Sequence, residues 1–365
     1  MNIFENLINS NYQNNSGITG ITDEFFCVYL YELLKKQNKN ILVVVNSLYE
    51  ANKIYSSLNN YTDDVFLFPM DDFLTSEAIA ISPDLLISRM ETIKNINSSV
   101  PKIIITNLMG YLRFLPTPEF YRDSIINISV GMSIEPKKLY EKLINIGYNS
   151  ETLVTKTGDV GLRGFVIDVF PLGEDNPYRI EFFGDEIDSI KKFDEESQLS
   201  TENISGVTIK PYKENDLESD STLYDILDNP IVVKIDSDNI KKSYLELQNQ
   251  ILEYKESNNI DINHKYMANL EDIYIKDEYE LNNFDNSKSL KVNSQSIDNF
   301  NSNLENLQFF INHRKNSMIT FLAIRSKGLK ETLSNLFDVS IDKNYFPGNI
   351  YFLDYKINHG FVFDK

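Results

Sequence analysis

The sequence predicts an α/β fold in which a parallel-sheet domain is split around an inserted small α+β domain and is followed by a small α/β domain. Three short β-branched runs predict central strands: ILVVV (41–45), VFLF (65–68) and KIIIT (102–106). These runs are apolar on both faces, which is typical of parallel strands that helices cover on both sides. Apolar residues at helical spacing over 48–58 and 83–93 predict the connecting helices.

Residues 1–119 are predicted to form the first part of the sheet domain, and residues 120–204 the inserted α+β domain. In the inserted domain a strand INISV (126–130) precedes a helix that begins at Glu135-Pro136 and ends at Gly147. Three β-rich runs separated by short loops then predict an antiparallel meander. These runs are VIDVF (166–170), YRIEFF (178–183) and EIDSIKKF (186–193).

Residues 205–283 are predicted to be the second part of the sheet domain. The runs VTIKPY (207–212) and IVVKID (231–236) predict its strands, and a polar helix is expected across Tyr244 to Lys255. The stretch 284–302 is polar with little periodicity, so it is predicted to be a linker.

The last residues, 303–365, predict a small α/β domain with strands at 318–325 and near 349–354. The sequence ends on the apolar residues Phe361-Val362-Phe363 before Asp364-Lys365, without a polar tail. This ending indicates a truncated domain and a chain that continues in the intact protein.

The composition argues against several classes of function. Among 365 residues, 35 are basic and 54 are acidic, giving a net charge of −19, and phosphate binding depends on Lys and Arg, so a large nucleic-acid footprint is not expected. A single cysteine, Cys27, and three scattered histidines provide no disulfide framework and no Cys/His metal cluster. Neither a secretory signal nor a membrane span is evident, which predicts a cytoplasmic protein without contact to a membrane.

The segment from Gly17 to Glu24 lies where a phosphate-binding loop is expected, just before a predicted helix and the strand ILVVV. A working loop, G-x-x-x-x-G-K-[ST], needs glycines for close approach to phosphate, a lysine to neutralise it and a hydroxyl for magnesium. Gly17 and Gly20 are present. Thr22, Asp23 and Glu24, however, occupy the positions of the second glycine, the lysine and the hydroxyl.

Two carboxylates therefore replace one ammonium where a polyphosphate would bind. At about 4 Å and an effective dielectric constant of about 20, each like-charge contact costs roughly 4 kcal/mol. Thr22, Asp23 and Glu24 are also good residues for a helix start, since Thr22 can cap and the acids complement the helix dipole. The segment is thus either a degenerate phosphate loop or an ordinary turn before a capped helix, and both interpretations predict no nucleotide cofactor.

With this segment, three further stretches resemble the N-terminal part of the transcription-repair coupling factor (Mfd) family, which is similar to the excision-repair protein UvrB. The stretches are FLFPMDD (66–72), SPDLLISRMETI (82–93) and RGFVIDVFPLGEDNPYRIEFFGDEIDSIKKFD (163–194). The resemblance implies the split sheet domain with its insertion. It also implies that the intact parent continues into an RNA-polymerase-binding region and an ATP-driven DNA translocase.

The resemblance implies that the inserted domain recruits UvrA, the damage-recognition ATPase. Arg163, Arg179 and Phe183 match the family's contact residues. Strand alternation independently places Arg179, Glu181 and Phe183 on one face of YRIEFF, and an Arg beside a Phe is typical of interfaces. Two alternatives stay open: Phe183 packs beneath a neighbouring element while Arg179 is a solvated edge charge, and Arg163 is a turn residue that points to water.

The comparison with UvrB further indicates lost functions. The stretch from Met70 to Pro83, where UvrB has a Tyr-rich hairpin that enters DNA, contains no Tyr, Lys or Arg, so DNA insertion is not expected. At 231–238 the family's second acidic motif is also eroded, because Asp236 is followed by Ser237 instead of Glu.

These observations predict a non-catalytic adaptor that mimics UvrB and recruits UvrA to stalled RNA polymerase. The resemblance further implies that a C-terminal domain of the intact parent masks the docking face, and that polymerase and DNA are bound through other parts of the parent. The alternative is an active UvrB-type ATP-dependent DNA-opening protein. A third class is an acidic structural protein without a partner.

Overall fold

The computed structural model describes residues 17–74, 82–96, 99–212, 214, 220–273, 275–281, 290–297, 300, 303–314, 317–340, 346–353 and 356–363. The described β-strands are β1 (Gly17–Thr19), β2 (Ile41–Val45), β3 (Val65–Phe68), β4 (Ile103–Asn107), β5 (Ile126–Ser129), β6 (Asn149–Ser150), β7 (Asp159–Arg163), β8 (Val166–Val169), β9 (Tyr178–Phe183), β10 (Glu186–Phe193), β11 (Ser200–Ile204), β12 (Gly206–Ile209), β13 (Ile231–Ile235), β14 (Glu278–Leu281), β15 (Leu290–Lys291), β16 (Ser294–Ser296), β17 (Thr320–Ala323), β18 (Ile350–Leu353) and β19 (Phe361–Phe363).

The described helices are α1 (Asp23–Gln37), α2 (Leu48–Leu58), α3 (Pro83–Ile96), α4 (Leu108–Leu112), α5 (Pro118–Asp123), α6 (Pro136–Asn145), α7 (Leu223–Ile226), α8 (Ser237–Ser257), α9 (Leu304–Arg314) and α10 (Lys327–Leu336). Within the described ranges, every helix is too short or too polar to span a bilayer.

The central sheet has seven strands in the order β15-β1-β14-β13-β2-β4-β3, and all of its described pairings are parallel. The side chains of strand β2 are buried on both faces of this sheet. Leu42 and Val44 pack into the core on one face, while Ile41, Val43 and Val45 pack into the core on the other. The predicted α/β class with a parallel sheet is confirmed, because a strand that is apolar on both faces needs a layer on each side.

The strands of this sheet come from two separate stretches of the chain. Strand β2 pairs directly with β13 in parallel register, Ile41 opposite Ile231. The residues between β4 and β13 carry a second sheet of six strands in the order β11-β10-β9-β8-β7-β6. The exact domain boundaries stay a prediction.

The second sheet contains the predicted antiparallel meander. Strands β7 to β11 pair antiparallel with their neighbours, and short β6 adds to β7 in parallel. Helix α6 covers one face, where its Leu139 and Leu143 pack against Ile167 and Ile180. Gly184 turns the chain between β9 and β10 with a φ of +63°, a conformation that favours glycine.

Strand β12 lies elsewhere than predicted. It was expected in the second part of the sheet domain, but it pairs antiparallel with β5, with Val207 opposite Ile128. Its Ile209 is buried in the core that α6 and the six-stranded sheet share. Alternation within a strand shows which face is buried, but it does not identify the core to which that face belongs.

The predicted linker 284–302 is wrong in its described part. Residues 290–297 contain β15, which pairs with β1, and β16, which pairs antiparallel with β19. These strands are short and partly polar, so they lack the periodicity that predicts a strand. Backbone hydrogen bonds to distant strands hold them in place. The rest of that stretch lies outside the described residues.

The last described residues include a small α/β unit. Strands β17 and β18 pair in parallel, with α10 between them in sequence. Strand β19 packs against the first helix, where the rings of Phe361 and Phe363 stack on Phe25 with centroids 5.0 and 4.7 Å away. Asn358 also donates a hydrogen bond to the hydroxyl of Ser57 on α2 at 2.9 Å. The residues around β19 therefore contact the helices that cover the central sheet.

Candidate docking face and the turn before the first helix

The turn between β1 and α1 is shorter than a phosphate loop. Gly17, Ile18 and Thr19 are strand residues, and Asp23 begins the helix, so three residues connect the two elements. The segment from Gly17 to Glu24, which lies where a phosphate-binding loop was expected, therefore consists of a strand, a tight turn and the start of a helix. Gly20 makes this turn with a φ of +72°, and a Cβ there would lie 2.2 Å from the carbonyl oxygen of Val292.

A distant segment closes the turn. The N–H of Thr22 donates to the hydroxyl of Ser294 at 2.8 Å, and this hydroxyl donates to the carbonyl of Gly20 at 2.7 Å. The N–H of Val292 donates to the carbonyl of Thr19 at 2.8 Å. The N–H of Thr22, a backbone donor at the helix start of the kind that binds phosphate in a working loop, is therefore satisfied by the protein itself.

The two acids at the start of α1 have different environments. Asp23 is exposed and pairs with Lys53 at 2.5 Å, which raises the pKa of that lysine. Glu24 is buried and accepts a hydrogen bond from the hydroxyl of Tyr61 at 2.7 Å. Thr22 is the N-cap residue, but its hydroxyl has no hydrogen-bond partner among the described residues, so the expected side-chain cap is absent there.

Asp236 lies between β13 and α8 and is the N-cap residue of that helix. Its backbone is left-handed, with a φ of +57°, and its carboxylate accepts from the N–H of Asn239 at 3.4 Å. Strand β14 lies between β13 and β1, so Asp236 and the Gly20 turn are separated by one strand. The carboxylate of Asp236 contributes to capping a helix in this structure.

The outer face of the six-stranded sheet holds the other candidate residues. On β9, Tyr178, Ile180 and Phe182 are buried in the core that contains Leu139 and Leu143 of α6, whereas Phe183 is 83 % exposed. The predicted alternation is therefore confirmed. Phe183 does not pack beneath a neighbouring element, so that alternative is wrong.

Arg163 and Arg179 meet at a residue that the sequence reasoning missed. Asp168 on β8 lies directly opposite Arg179 on β9 and is 2 % exposed. Its two carboxylate oxygens accept from Nε and Nη2 of Arg179 at 2.7 and 3.0 Å, and its Oδ2 also accepts from Nη2 of Arg163. We call Arg163, Asp168 and Arg179 the arginine clamp.

The two arginines of the clamp differ in exposure. The side chain of Arg179 is 17 % exposed, donates to the carbonyl of Gln198 at 3.2 Å and lies 4.6 Å from the ring centre of Phe193. The hydrogen bonds to Asp168 raise the pKa of Arg179 further. The side chain of Arg163 is 50 % exposed. Arg179 is thus held within the surface of the sheet instead of being a solvated edge charge, whereas Arg163, the last residue of β7, is half exposed.

A second exposed aromatic residue lies near Phe183. Phe165 occupies the turn between β7 and β8, is 62 % exposed, and its carbonyl accepts from the N–H of Phe182 at 2.9 Å. Phe165 was not predicted as a site residue either. The signals available were its position in a tight turn, where an apolar residue is unusual, and for Asp168 the strand alternation that places it beside Arg179.

Comparison with known proteins places these features in a family context. Residues 126–214 match the family model described as the UvrB interaction domain. The chain is 32 % identical over 199 residues to the transcription-repair-coupling factor of Bacillus subtilis (strain 168) and 35 % identical over 199 residues to that of Staphylococcus epidermidis RP62A, in both cases covering 54 % of this chain and 17 % of the relative.

A third relative, the transcription-repair-coupling factor of Staphylococcus aureus RF122, is 34 % identical over 211 residues, which cover 57 % of this chain and 18 % of the relative. The predicted resemblance is therefore confirmed over about half of the chain. The matched part spans about a sixth of the length of these curated relatives.

Proposed function

We propose that this chain is a non-catalytic adaptor module of transcription-coupled nucleotide excision repair that docks UvrA through the outer face of its six-stranded sheet. The observation that carries the proposal is that the residues matched by the UvrB interaction domain, 126–214, present an open face with the exposed rings of Phe165 and Phe183 beside Arg163. Exposed aromatic and arginine side chains with fixed surroundings are typical of interaction hot spots.

The absence of catalysis is part of this proposal. It is supported by the three-residue turn before α1, the acids Asp23 and Glu24, and the Val292 to Ser294 segment that satisfies the backbone of the turn. A nucleotide would have to displace this segment and approach two carboxylates.

Further partners are proposed for the intact parent on the basis of the resemblance. We propose that other regions of the parent bind RNA polymerase and DNA, and that its C-terminal domain covers the docking face at rest. Removal of that domain from the parent is then expected to make UvrA docking constitutive.

The docking role predicts the effect of two substitutions at exposed positions. Phe183→Ala and Arg163→Ala together are expected to weaken UvrA binding about thirtyfold or more, because truncating a central hot spot typically costs about 2 kcal/mol. Isothermal titration of UvrA with the chain measures this. The controls, Leu245→Ala on α8 and Arg122→Ala on α5, truncate another exposed apolar side chain and another exposed arginine away from the face, and they are expected to leave affinity unchanged.

Two outcomes would contradict this role. One is no binding by the unaltered chain, and the other is unchanged binding by the double variant.

A further inference from the structure

Asp168 carries a charge that the docking role alone leaves unexplained. It lies in the middle of a sheet, 2 % exposed, between strands β7 and β9. Burial of a carboxylate costs several kcal/mol unless charged partners compensate for it. Here both compensating groups, Arg163 and Arg179, are residues that the resemblance associates with partner contact.

The contacts of the clamp form a path from the core to the surface. Arg179 rests on the ring of Phe193, which is fully buried, and its planar fork bonds both oxygens of Asp168. A bidentate guanidinium pair fixes orientation as well as charge. Asp168 is thereby held rigidly, and its Oδ2 in turn accepts from the half-exposed Arg163.

The clamp has an excess positive charge and unused hydrogen-bond donors that a partner could bind. Two guanidinium groups face one carboxylate, so the clamp has a net charge of +1, and Arg163 uses one donor on Asp168 out of the five that a guanidinium carries. The remaining donors of Arg163 match a carboxylate on an incoming protein surface.

We propose that Asp168 is the positioning residue of the docking face: it fixes the guanidinium of Arg163 to receive a carboxylate of UvrA, and Arg179 acts through Asp168 without touching the partner. This inference rests on the proposed function and deepens it. It changes the expected role of Arg179 from a contact residue to a support.

A double-mutant cycle separates this role from a general effect on folding. UvrA affinity is measured by calorimetry for the unaltered chain, Asp168→Asn, Arg163→Ala and the combined variant. Asp168→Asn alone is expected to weaken binding about tenfold, because Arg163 becomes free to adopt other rotamers. In the Arg163→Ala background the same change is expected to have less than a twofold effect.

A matched control uses the same face. Glu181 on β9 also forms an ion pair, with Lys191 at 2.6 Å, and its influence on the clamp is limited to a charge interaction with Arg179, since its described hydrogen bonds come from Ser189 and Lys191. Glu181→Gln is expected to keep affinity within twofold. Equal losses for Asp168→Asn in both backgrounds, or no loss in either, would overturn the positioning role.

A second variant, which keeps Asp168, tests the inference even if Asp168→Asn does not fold. Arg163→Lys retains the charge but loses the planar fork, so it is expected to bind UvrA at least five times more weakly than the unaltered chain. Binding equal to that of the unaltered chain would show that orientation of the fork is unimportant and would overturn the inference.

A measurement without UvrA distinguishes failure of this inference from failure of the proposed function. Side-chain NMR of the arginines reports rotation about the Nε–Cζ bond, which is expected to be slow for Arg163 in the unaltered chain and fast in Asp168→Asn. Slow rotation without any UvrA binding would remove the proposed function and keep the clamp. Tight UvrA binding together with fast rotation of Arg163 in the unaltered chain would remove the clamp and keep the proposed function.

Discussion

Arg89 and Glu214 form the most deeply buried ion pair among the described residues. The Arg89 guanidinium donates to both oxygens of Glu214, with the shortest distance 2.7 Å, and also to the carbonyl of Pro69 at 2.9 Å. The hydroxyl of Tyr121 donates to Glu214 at 2.8 Å. Glu214 follows the second sheet in sequence and Arg89 is on α3, so the pair ties the returning chain to the central layer.

Loss of the Glu214 charge is expected to destabilise the fold strongly. Glu214→Gln leaves Arg89 buried without its counter-charge, and removal of one partner of a buried pair typically costs about 3–5 kcal/mol. Urea unfolding followed by circular dichroism measures the difference. The control is Glu119→Gln, whose exposed pair with Arg122 is expected to contribute less than about 1 kcal/mol. A loss at Glu214 no larger than that of the control would refute the prediction.

The buried carboxylate of Glu214 is expected to make the stability of the fold depend on pH. Burial by itself raises the pKa of Glu214, but the Arg89 charge, its hydrogen bonds and that from Tyr121 outweigh burial, so the pKa is lowered. The ionised group therefore contributes stability above its unfolded pKa of about 4.3, and this stability is lost as the pH falls through the lower folded value.

We expect the difference in unfolding free energy between the unaltered chain and Glu214→Gln to be constant near neutral pH and to shrink below about pH 4.3. Urea titrations at a series of pH values test this. A difference that does not change with acidification would show that the charge of Glu214 is not the source of the stability.

The turn before α1 differs from a phosphate-binding loop in its length and in its contacts. Strand, turn and helix follow one another in the expected order, yet the turn has three residues and lies under the Val292 to Ser294 segment. We propose that both the residues and the backbone of this turn disfavour phosphate binding.

Restoring the motif residues is therefore expected to fail. The triple variant Thr22→Gly, Asp23→Lys, Glu24→Thr recreates the letters of a phosphate loop but leaves the turn short, and it removes the Glu24 contact to Tyr61. Thermal unfolding with and without magnesium ATP is expected to show no ligand-dependent rise in Tm for this variant or for the unaltered chain. A rise in the triple variant alone would show that side-chain charge was the sole obstacle.

At the scale of the whole molecule, the net charge of −19 disfavours association with nucleic acid. Duplex DNA repels an acidic surface at long range, and binding requires clustered Lys and Arg that release counterions. Several described basic residues are already paired with acids, among them Lys39, Lys102 and Lys234. The region from Met70 to Pro83, expected to lack a DNA-entering hairpin, lies partly outside the described residues.

We therefore expect the isolated chain to bind DNA more weakly than typical non-specific binders, with a Kd above about 0.1 mM at physiological salt. Fluorescence anisotropy with a labelled duplex, repeated with a single strand, measures this. Saturable binding at micromolar concentrations would contradict the expectation and would favour a UvrB-type function.

The sequence by itself determined the class of the fold and the faces of its strands. ILVVV became a strand buried on both sides, and YRIEFF presents Phe183 outward, because burial follows the local spacing of apolar residues. The acids at 23 and 24 could also be read from the sequence, but whether they replace a phosphate-binding lysine stays a prediction.

Only the tertiary structure decided which distant groups meet. Ser294 satisfies the turn at Gly20 from more than 270 positions away, β12 joins β5 instead of the central sheet, and Asp168 takes two arginines at once. Periodicity carries no information about partners, because hydrogen bonds and ion pairs depend on which strands become neighbours in space. That pairing is set by the packing of whole layers, which no single segment encodes.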